Sequence, residues 1–383
     1  MSCYVASNDN RIYVGLESVY GQVVAVTEQN RIPAVKLGAR QTPETTGRRD
    51  KTGGRTFVGL PNSIRKKTAY ELTTFMTAWN DPLIAPTHGA LFEAGMGGAP
   101  ISFAGGTVAA TDGVTSVTFT SAHGLIPGQG VTSGGDLRFV AGVLDAVTVF
   151  VNAPFSQSLT VGAVMGPTIT YLLANDLGSV SVFDYWDPVT AVHRILNGAA
   201  VDRVRIKVNG DFHEFGFAGP ARDLLDSATF TPFPAEPLST GFDYTIVPGH
   251  LGQVWMGTTA TQFLTLTEAE LVLDNNVEAR VREFGSDFAQ CITAGTRAVR
   301  LNFSVFEDDD AATQGLYQAA RSRSAMGVML QLGQQSTQLF GAYMPAMVPE
   351  VPEFDDGETR LQWRFQNSRA QGTVNDELYV AFG

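Results

Sequence analysis

Two stretches of the chain follow the same order, and they decide the predicted fold. The first reads Gly53-Gly54-Arg55-Thr56-Phe57-Val58-Gly59-Leu60, and the second reads Gly295-Thr296-Arg297-Ala298-Val299-Arg300-Leu301-Asn302-Phe303. Gly53 precedes Gly295 by 242 residues, and Arg55 precedes Arg297 by the same distance. A polar stretch and a helix-like run follow each copy. The shared order of β-hairpin, helix and β-hairpin predicts an internal duplication, which is typical of subunits that build rings and repeating assemblies.

The two helix-like runs carry different start signals. Thr68-Ala69-Tyr70-Glu71 fits a capping box, and the apolar residues that follow have helical spacing, so we predict a short amphipathic helix from Thr68 to Trp79. The second predicted helix runs from Ala311 to Arg323, after the acidic run Glu307–Asp310. That run lacks the spaced oxygen ligands and the central glycine of a calcium loop. We therefore predict that it caps the positive end of the helix.

Several segments alternate apolar and polar residues, as half-buried strands of antiparallel sheets do. Residues 203–208 alternate Arg203, Arg205 and Lys207 with valine and isoleucine, and residues 299–305 and 361–365 follow the same pattern. Asn209-Gly210 suits the two central positions of a type I′ turn. A two-residue turn there predicts that Arg205 lies opposite Glu214 on the return strand.

The predicted fold is mainly β, with two tandem antiparallel β-sandwich domains, each with a flanking short α-helix, and a small inserted β-domain. Residues 103–166 are rich in Gly, Val and Thr and nearly uncharged, and they interrupt the first unit. The predicted organisation is an N-terminal arm over 1–30, a first domain over 31–102 and 167–235, the inserted small β-domain over 103–166, and a second domain over 236–383. The insert is expected to project outward, because insertions are tolerated where chain ends lie close together at a surface.

Charge is low overall and unevenly distributed. Charged residues make up 17% of the chain, below the roughly 25% typical of globular proteins, and the net charge is −12. This acidic balance argues against an enzyme that binds nucleic acid, because phosphate contacts require Lys and Arg. Between Arg31 and Lys67, however, there are ten Lys or Arg and only two acids, Glu44 and Asp50. Such polarity either sets head-to-tail docking between identical subunits or marks a solvated basic loop.

The sequence predicts no catalytic, cofactor or metal site, and therefore not an enzyme. The five histidines lack metal-ligand spacing, no phosphate-binding or nucleophile motif is present, and Cys3 and Cys291 do not suggest a disulfide framework. No run approaches the roughly 20 apolar residues that span a bilayer, and Met1–Asn10 lacks the features of a signal peptide. A chain made in the cytoplasm, with no membrane partner, is expected.

Three segments resemble the tail tube (major tail) proteins of long-tailed bacteriophages. They are Tyr13-Val14-Gly15-Leu16-Glu17-Ser18-Val19-Tyr20-Gly21, Arg48-Arg49-Asp50-Lys51-Thr52-Gly53-Gly54-Arg55 and Leu91-Phe92-Glu93-Ala94-Gly95-Met96-Gly97. The second half resembles the C-terminal part of that family through Ala269-Glu270-Leu271-Val272-Leu273-Asp274-Asn275-Asn276 and Asn375-Asp376-Glu377-Leu378. The resemblance covers nearly the whole chain except 103–166.

The resemblance implies a structural subunit of the virion tail, assembled in the host cytoplasm. In that family, sandwich domains join their inner sheets into a barrel that lines the lumen, and some members with a tandem pair of domains form three-membered rings with pseudo-sixfold symmetry. The implied partners are other copies of the chain, tail terminator and tail-tip proteins, a tape measure protein in the lumen, and DNA that passes without specific binding. The basic loop that carries Arg48, Arg49, Lys51 and Arg55 is the candidate contact between subunits or rings.

Two other classes of protein remain open from the sequence. The β-rich insert and the four tryptophans suit a carbohydrate-binding or adhesin-like virion protein, which would expose tryptophan side chains. A β-sandwich enzyme that degrades glycans would need two carboxylates roughly 5–9.5 Å apart in a cleft.

Overall fold

The computed structural model of the chain describes residues 4–44, 50–60, 64–79, 84–188, 190–238, 245–357 and 359–383. Antiparallel strands dominate it, so the prediction of a mainly β fold is confirmed. Within the described ranges, no helix is both long enough and apolar enough to cross a membrane.

The helices and strands are as follows in chain order. Before the insert lie β1 (Asn10–Leu16), the 3-10 helix Glu28–Asn30, β2 (Arg31–Ile32), β3 (Ala34–Pro43), β4 (Lys66–Phe75), α1 (Gly89–Met96) and β5 (Ile101–Phe103). The insert contains β6 (Gly106–Thr111), β7 (Ser116–Phe119), β8 (Gly130–Ser133), β9 (Asp136–Val143), β10 (Thr148–Val151) and β11 (Val164–Met165). After the insert lie β12 (Thr168–Leu172), β13 (Ser179–Trp186), β14 (Arg194–Ala200), β15 (Arg203–Val208), β16 (Glu214–Ala221) and β17 (Asp223–Asp226). The last part contains β18 (Gly252–Gly257), β19 (Thr261–Gln262), β20 (Leu266–Asp274), β21 (Glu278–Ala279), β22 (Ile292–Thr293), β23 (Ala298–Phe306), α2 (Ala311–Ser322), β24 (Met326–Leu332), β25 (Phe340–Val348), β26 (Glu353–Asp355), β27 (Gln362–Ala370) and β28 (Tyr379–Phe382).

One continuous sheet joins the two halves of the chain. Its strands run in the order β3-β4-β16-β15-β20-β23-β27-β26, and we call them the eight-stranded sheet. Four strands come from the first half and four from the second, and the halves meet where β15 pairs with β20 from Arg203 opposite Asp274 to Val208 opposite Ala269. Beyond β27 the pairing continues into β25, so the sheet also connects to the layer behind it.

A second layer of strands covers the apolar face of the eight-stranded sheet. It consists of a five-stranded sheet in the order β17-β14-β13-β1-β2 and of β18, β24, β25, β28, β12 and β5. Side chains of both layers contribute to one hydrophobic core. Residues 10–16 of the predicted N-terminal arm form β1, which pairs with β13 along its whole length and buries Ile12 and Val14. This segment is an integral strand rather than an arm.

Helix α1 lies inside the core instead of on a surface. Leu91 and Phe92 are fully buried. The Phe92 ring lies 5.4 Å from the ring of Phe217 on β16 and 5.3 Å from that of Phe382 on β28. Because β16 belongs to the first half of the chain and β28 to the second, the two halves share this core.

The first predicted helix is wrong, and the second is confirmed. Residues 66–75 form strand β4, in which Thr68, Tyr70, Leu72 and Thr74 are buried while the residues between them are mostly exposed. Strands β3 and β16 flank β4 on both sides, so threonine and tyrosine pack on a pleated surface that suits them. Helix α2 spans Ala311–Ser322, within one residue of the prediction.

The start of α2 is capped as the sequence predicts. The Asp310 carboxylate accepts a hydrogen bond of 2.6 Å from the Thr313 backbone N–H. This bond lowers the pKa of Asp310.

The predicted register of the duplication is also wrong. Gly295 lies three residues before β23 and donates its N–H to the carbonyls of Asn275 and Asn276. Gly53 lies in the connection between β3 and β4, well before β4 begins at Lys66. The repeated order of hairpin and helix is present, but the loop lengths differ, so a fixed spacing of 242 does not align the strands.

The insert is a closed β-barrel. Its six strands follow the order β11-β6-β7-β10-β9-β8, and the Gly166 N–H donates to the Thr132 carbonyl at 2.8 Å, which joins β8 back to the end of β11. A separate apolar cluster fills it. The flanking strands β5 and β12 pair with each other, with Phe103 opposite Thr168. The chain thus enters and leaves the insert at neighbouring positions, as an insertion requires.

A buried histidine makes the fold sensitive to mild acid. His88, at the start of α1, is 1% exposed, its Nε2 lies 3.1 Å from Thr74 Oγ1, and burial lowers its pKa to about 4. The unfolded chain takes up this proton near pH 6.5, so the stabilisation is complete above that pH and is lost as the pH falls toward 4. His213, whose pKa burial also lowers, acts in the same direction.

We expect His88 alone to reduce the free energy of unfolding by about 2 kcal/mol between pH 8 and pH 5. Urea unfolding of the native chain and of His88→Gln at both pH values measures this contribution. The variant should lose less stability than the native chain over this interval. An equal loss in both proteins would show that His88 does not carry the effect.

Candidate functional site

The eight-stranded sheet presents one polar face. On β15, Val204 and Ile206 are buried, whereas Arg203 and Lys207 are exposed on the opposite side. Two open depressions of about 930 and 480 Å³ lie along the polar face. Strand residues from both halves of the chain line the larger one, so the face is concave across the junction between the halves.

Ion pairs between neighbouring strands neutralise most of the cations at this junction. Arg203 Nε lies 2.7 Å from Asp274 Oδ1, and Arg300 of β23 pairs with the other oxygen of the same carboxylate. Arg205 pairs with Glu270 on β20. Cross-strand pairs of opposite charge stabilise a sheet by roughly 0.2–1 kcal/mol each, and they also fix its register.

The turn that follows β15 differs from the prediction. Asn209 does adopt a left-handed conformation, with φ of 62°, but β16 begins only at Glu214, so the turn is longer than two residues. Lys207 is therefore the residue opposite Glu214, with 3.8 Å between Nζ and Oε1, and Arg205 lies opposite Gly216.

The two edges of the eight-stranded sheet carry opposite charges. Within the described part of the chain, β3 pairs with β4 alone; its Lys36 and Arg40 are exposed, and it contains no acid. The other edge, β26, carries Glu353 and Asp355. Asp355 pairs with Arg364 of β27 on the polar face. A basic edge and an acidic edge therefore border the same concave surface.

Two long connections leave the sheet at the same end. The first, residues 44–65, joins β3 to β4, and the second, residues 275–297, joins β20 to β23. Thr68, near the start of β4, lies opposite Ala221 at the end of β16, and the start of β15 pairs with the end of β20. Both connections therefore start and finish at the end of the sheet where β15 begins.

The predicted contact residues belong to the first connection. Lys51 and Arg55 are exposed there, in a segment without strand structure. Arg48 and Arg49 lie outside the described residues. The edge charges Lys36, Arg40, Glu353 and Asp355 were not predicted from the sequence.

The insert is fixed to the second layer by a buried arginine. Arg138 of β9 is fully buried, and its guanidinium donates to the Pro154 carbonyl at 2.7 Å and to the side-chain oxygens of Gln331 and Gln253 at 3.0 Å each. Burial lowers the Arg138 pKa to about 10. Around this network Leu137 and Phe139 of the insert pack with the second layer, against Trp255, Met329, Leu339 and Ala381.

Titratable clusters that could hold a metal are absent from the described ranges, where no group of three or more His, Cys, Asp or Glu converges. Four histidines are instead either buried or in contact with a backbone carbonyl. His88 and His213 are buried, while His123 and His193 lie 3.1 and 2.9 Å from the backbone carbonyls of Asp145 and Trp186.

The chain matches no protein-family model and no curated protein. The functional conclusion therefore rests on the geometry of the eight-stranded sheet and on its two charged edges.

Proposed function

We propose that the chain is the structural subunit of a phage tail tube, in which three copies close into a ring with pseudo-sixfold symmetry and stacked rings form the channel for DNA. The observation that carries this proposal is the pairing of β15 with β20, which fuses the two halves into one curved sheet. A contact of that kind, repeated between copies, closes a ring.

The two halves contribute their strands in equivalent order. The first half supplies β3-β4-β16-β15, and the second supplies β20-β23-β27-β26. In each half the first two strands flank a long connection and precede a helix, and the last two strands come later in the chain. By this equivalence β26 corresponds to β15, and β3 corresponds to β20. The internal junction is then a template for pairing β26 of one copy with β3 of the next.

Charge supports this template. Inside one copy, the cations of β15 meet the carboxylates of β20. Between copies, the acids of β26 would meet the cations of β3, with the signs exchanged. Pairing of β3 with another β3, or of β26 with another β26, would bring like charges together, which disfavours wrong closures. Complementary edges of this kind favour one head-to-tail order.

The size of the ring agrees with passage of duplex DNA. Three copies of the eight-stranded sheet give about 24 strands, and a spacing of about 4.8 Å gives a circumference of about 115 Å, or a backbone diameter of about 37 Å. Strand tilt in a closed barrel widens this value further. After side chains take about 5 Å on each side, a bore of about 27 Å is left, which is wider than duplex DNA.

The polar face is suited to letting DNA slide without binding. DNA affinity depends on Lys and Arg that are free to neutralise phosphates and release counterions. On this face Arg203, Arg205 and Arg300 are paired with carboxylates of the same chain. In the proposed tube, the tape measure protein occupies this lumen during assembly, and the tail terminator and tail-tip proteins cap the two ends.

The alternative of a carbohydrate-binding adhesin has less support. Stacking of sugars on tryptophan requires exposed rings, but Trp79, Trp255 and Trp363 are 8%, 8% and 5% exposed, and Trp186 is half-buried. On the concave face Asp274 and Glu270 are tied to arginines and Glu214 to Lys207, which does not suit these three carboxylates as a general acid for glycan cleavage.

Electron microscopy of the purified full-length chain tests the proposal. We expect rings or tubes with three subunits in each turn of the wall, and mass photometry should show trimers and their multiples. A chain that stays monomeric at high concentration, together with the absence of rings from virions, would contradict the proposal.

A further inference from the structure

The second long connection does not extend away from the sheet; it turns back across the first half. Near its start, the Val277 N–H donates to the Asp202 carboxylate at 2.6 Å, just before β15. Further on, the guanidinium carbon of Arg222, the residue after β16, lies 4.5 Å from the centre of the Phe288 ring. The Asp287 carbonyl then accepts the backbone N–H of Lys66 at 2.8 Å, where β4 begins.

The connection 275–297 thus crosses the ends of β15, β16 and β4 in turn. It covers the junction between the halves on the side where both long connections emerge. A connection that starts on one side of a junction and is held by three strands on the other side strengthens the junction against sideways separation.

We infer that the first connection makes the same crossing onto the neighbouring copy within one ring, so that its residues 50–60 lie across the ends of β26, β27 and β23 of that copy. This inference rests on the proposed function, and it follows from the same equivalence of strands. The positions that correspond to Asp202, Arg222 and Lys66 are residues 350–352, Gln371 and Arg297. The contact is between subunits of one ring rather than between stacked rings.

The two surfaces are chemically complementary. The described part of the first connection exposes two cations, Lys51 and Arg55, one acid, Asp50, and three apolar side chains. The apolar ones are Phe57, Val58 and Leu60, which are 67%, 51% and 38% exposed. The receiving end of the neighbouring copy exposes Val351, which is 56% exposed, and beside it Glu350, whose partly exposed carboxylate lies 3.9 Å from Arg323 of its own copy. An apolar contact flanked by opposite charges is a suitable match for a second copy of this chain.

Disulfide trapping distinguishes a contact within a ring from a contact between rings. The test pair is Phe57→Cys with Val351→Cys, in a chain whose Cys3 and Cys291 are serine. Strands β3 and β26, which flank the two positions, are seven strand spacings or about 34 Å apart within one copy, so a disulfide inside one copy is disfavoured. Such an internal disulfide would also leave a monomer on the gel. The comparison pair combines Phe57→Cys with Phe212→Cys, because Phe212 lies at the opposite end of the strands and is 42% exposed.

For the test pair we expect covalent dimers and trimers on non-reducing gels and no larger species, because a lateral contact closes on itself within the ring. The comparison pair should give little product. Rings seen by microscopy without any product from the test pair, or a ladder that extends past the number of subunits in one ring, would overturn this inference while leaving the proposed function intact. Absence of rings altogether would instead remove the proposed function.

Discussion

The double variant Lys36→Glu with Arg40→Glu is expected to leave the chain folded but unable to form rings. Both cations lie on β3, the edge strand that is proposed to meet Glu353 and Asp355 of the next copy. Two cross-strand pairs of opposite charge contribute roughly 0.4–2 kcal/mol together, and charge reversal replaces them by repulsion of similar size. Each junction is then weakened by roughly 1–4 kcal/mol, a factor of about 5 to several hundred in the association constant.

Analytical ultracentrifugation and electron microscopy measure the loss, and two further variants make it specific. The triple variant Gln314→Glu, Gln318→Glu and Arg321→Glu lowers the net charge by the same four charges on exposed positions of helix α2, outside the eight-stranded sheet, and should still form rings. Reversal of the acidic edge should restore assembly to the β3 variant. This rescue combines Glu353→Lys and Asp355→Lys with Arg364→Glu, which keeps the internal pair of residues 355 and 364 with its signs exchanged. Rings from the unrescued β3 variant at native concentration would refute the edge contact.

Strands β15, β23 and β27 of the polar face could be predicted from period-two alternation. In residues 203–208 and 299–305 apolar and polar residues alternate without a break in the sequence. The apolar side chains face the core, and the polar ones, except the buried Ser304, are at least partly exposed. The sequence predicts a helix for the segment that forms β4, because Leu72, Phe75, Met76 and Trp79 also fit helical spacing. Its buried Thr68 and Thr74 pack between two neighbouring strands, so tertiary pairing overrides the local helical signal.

The charged edges could not be located from the sequence, although their polarity could. The excess of cations between Arg31 and Lys67 is compatible with two interpretations, head-to-tail docking between subunits and a solvated basic loop. Which of these cations border the concave face depends on which strand ends the sheet, and that is set by long-range pairing. The acidic edge is only the three residues of β26, too short to be recognised as a strand by periodicity.

Arg138 stands out in the sequence by its isolation from other cations. It is the only Lys or Arg between residues 103 and 166. A single cation in a long apolar stretch cannot belong to a generally charged surface, so it points either to a partner or to a buried network. The structure provides the network, since Arg138 reaches Gln253 and Gln331 far along the chain.

The second large effect is therefore expected from Arg138→Ala, which should lower the free energy of unfolding by about 3–5 kcal/mol. Removing the guanidinium leaves the carboxylate of Asp136, which is 5% exposed and lies 3.6 Å from it, buried without its cation. It also removes the donors to Gln253, Gln331 and the Pro154 carbonyl. Urea unfolding measures the change, and a loss of less than 1 kcal/mol would show that the network does not hold the insert.

Arg138→Lys separates charge from geometry, because a lysine retains the cation but cannot make several directed hydrogen bonds at once. We expect an intermediate loss for it. Calorimetry adds a second readout: insert and body share one interface, so the native chain should unfold in one transition, and Arg138→Ala should split off an earlier transition of the insert.

The same interface means that deletion of residues 104–165 would uncover Trp255 and Met329 rather than act as removal of a free decoration. A deletion that assembles normally without substitutions at those two positions would show that the packing between insert and body is dispensable.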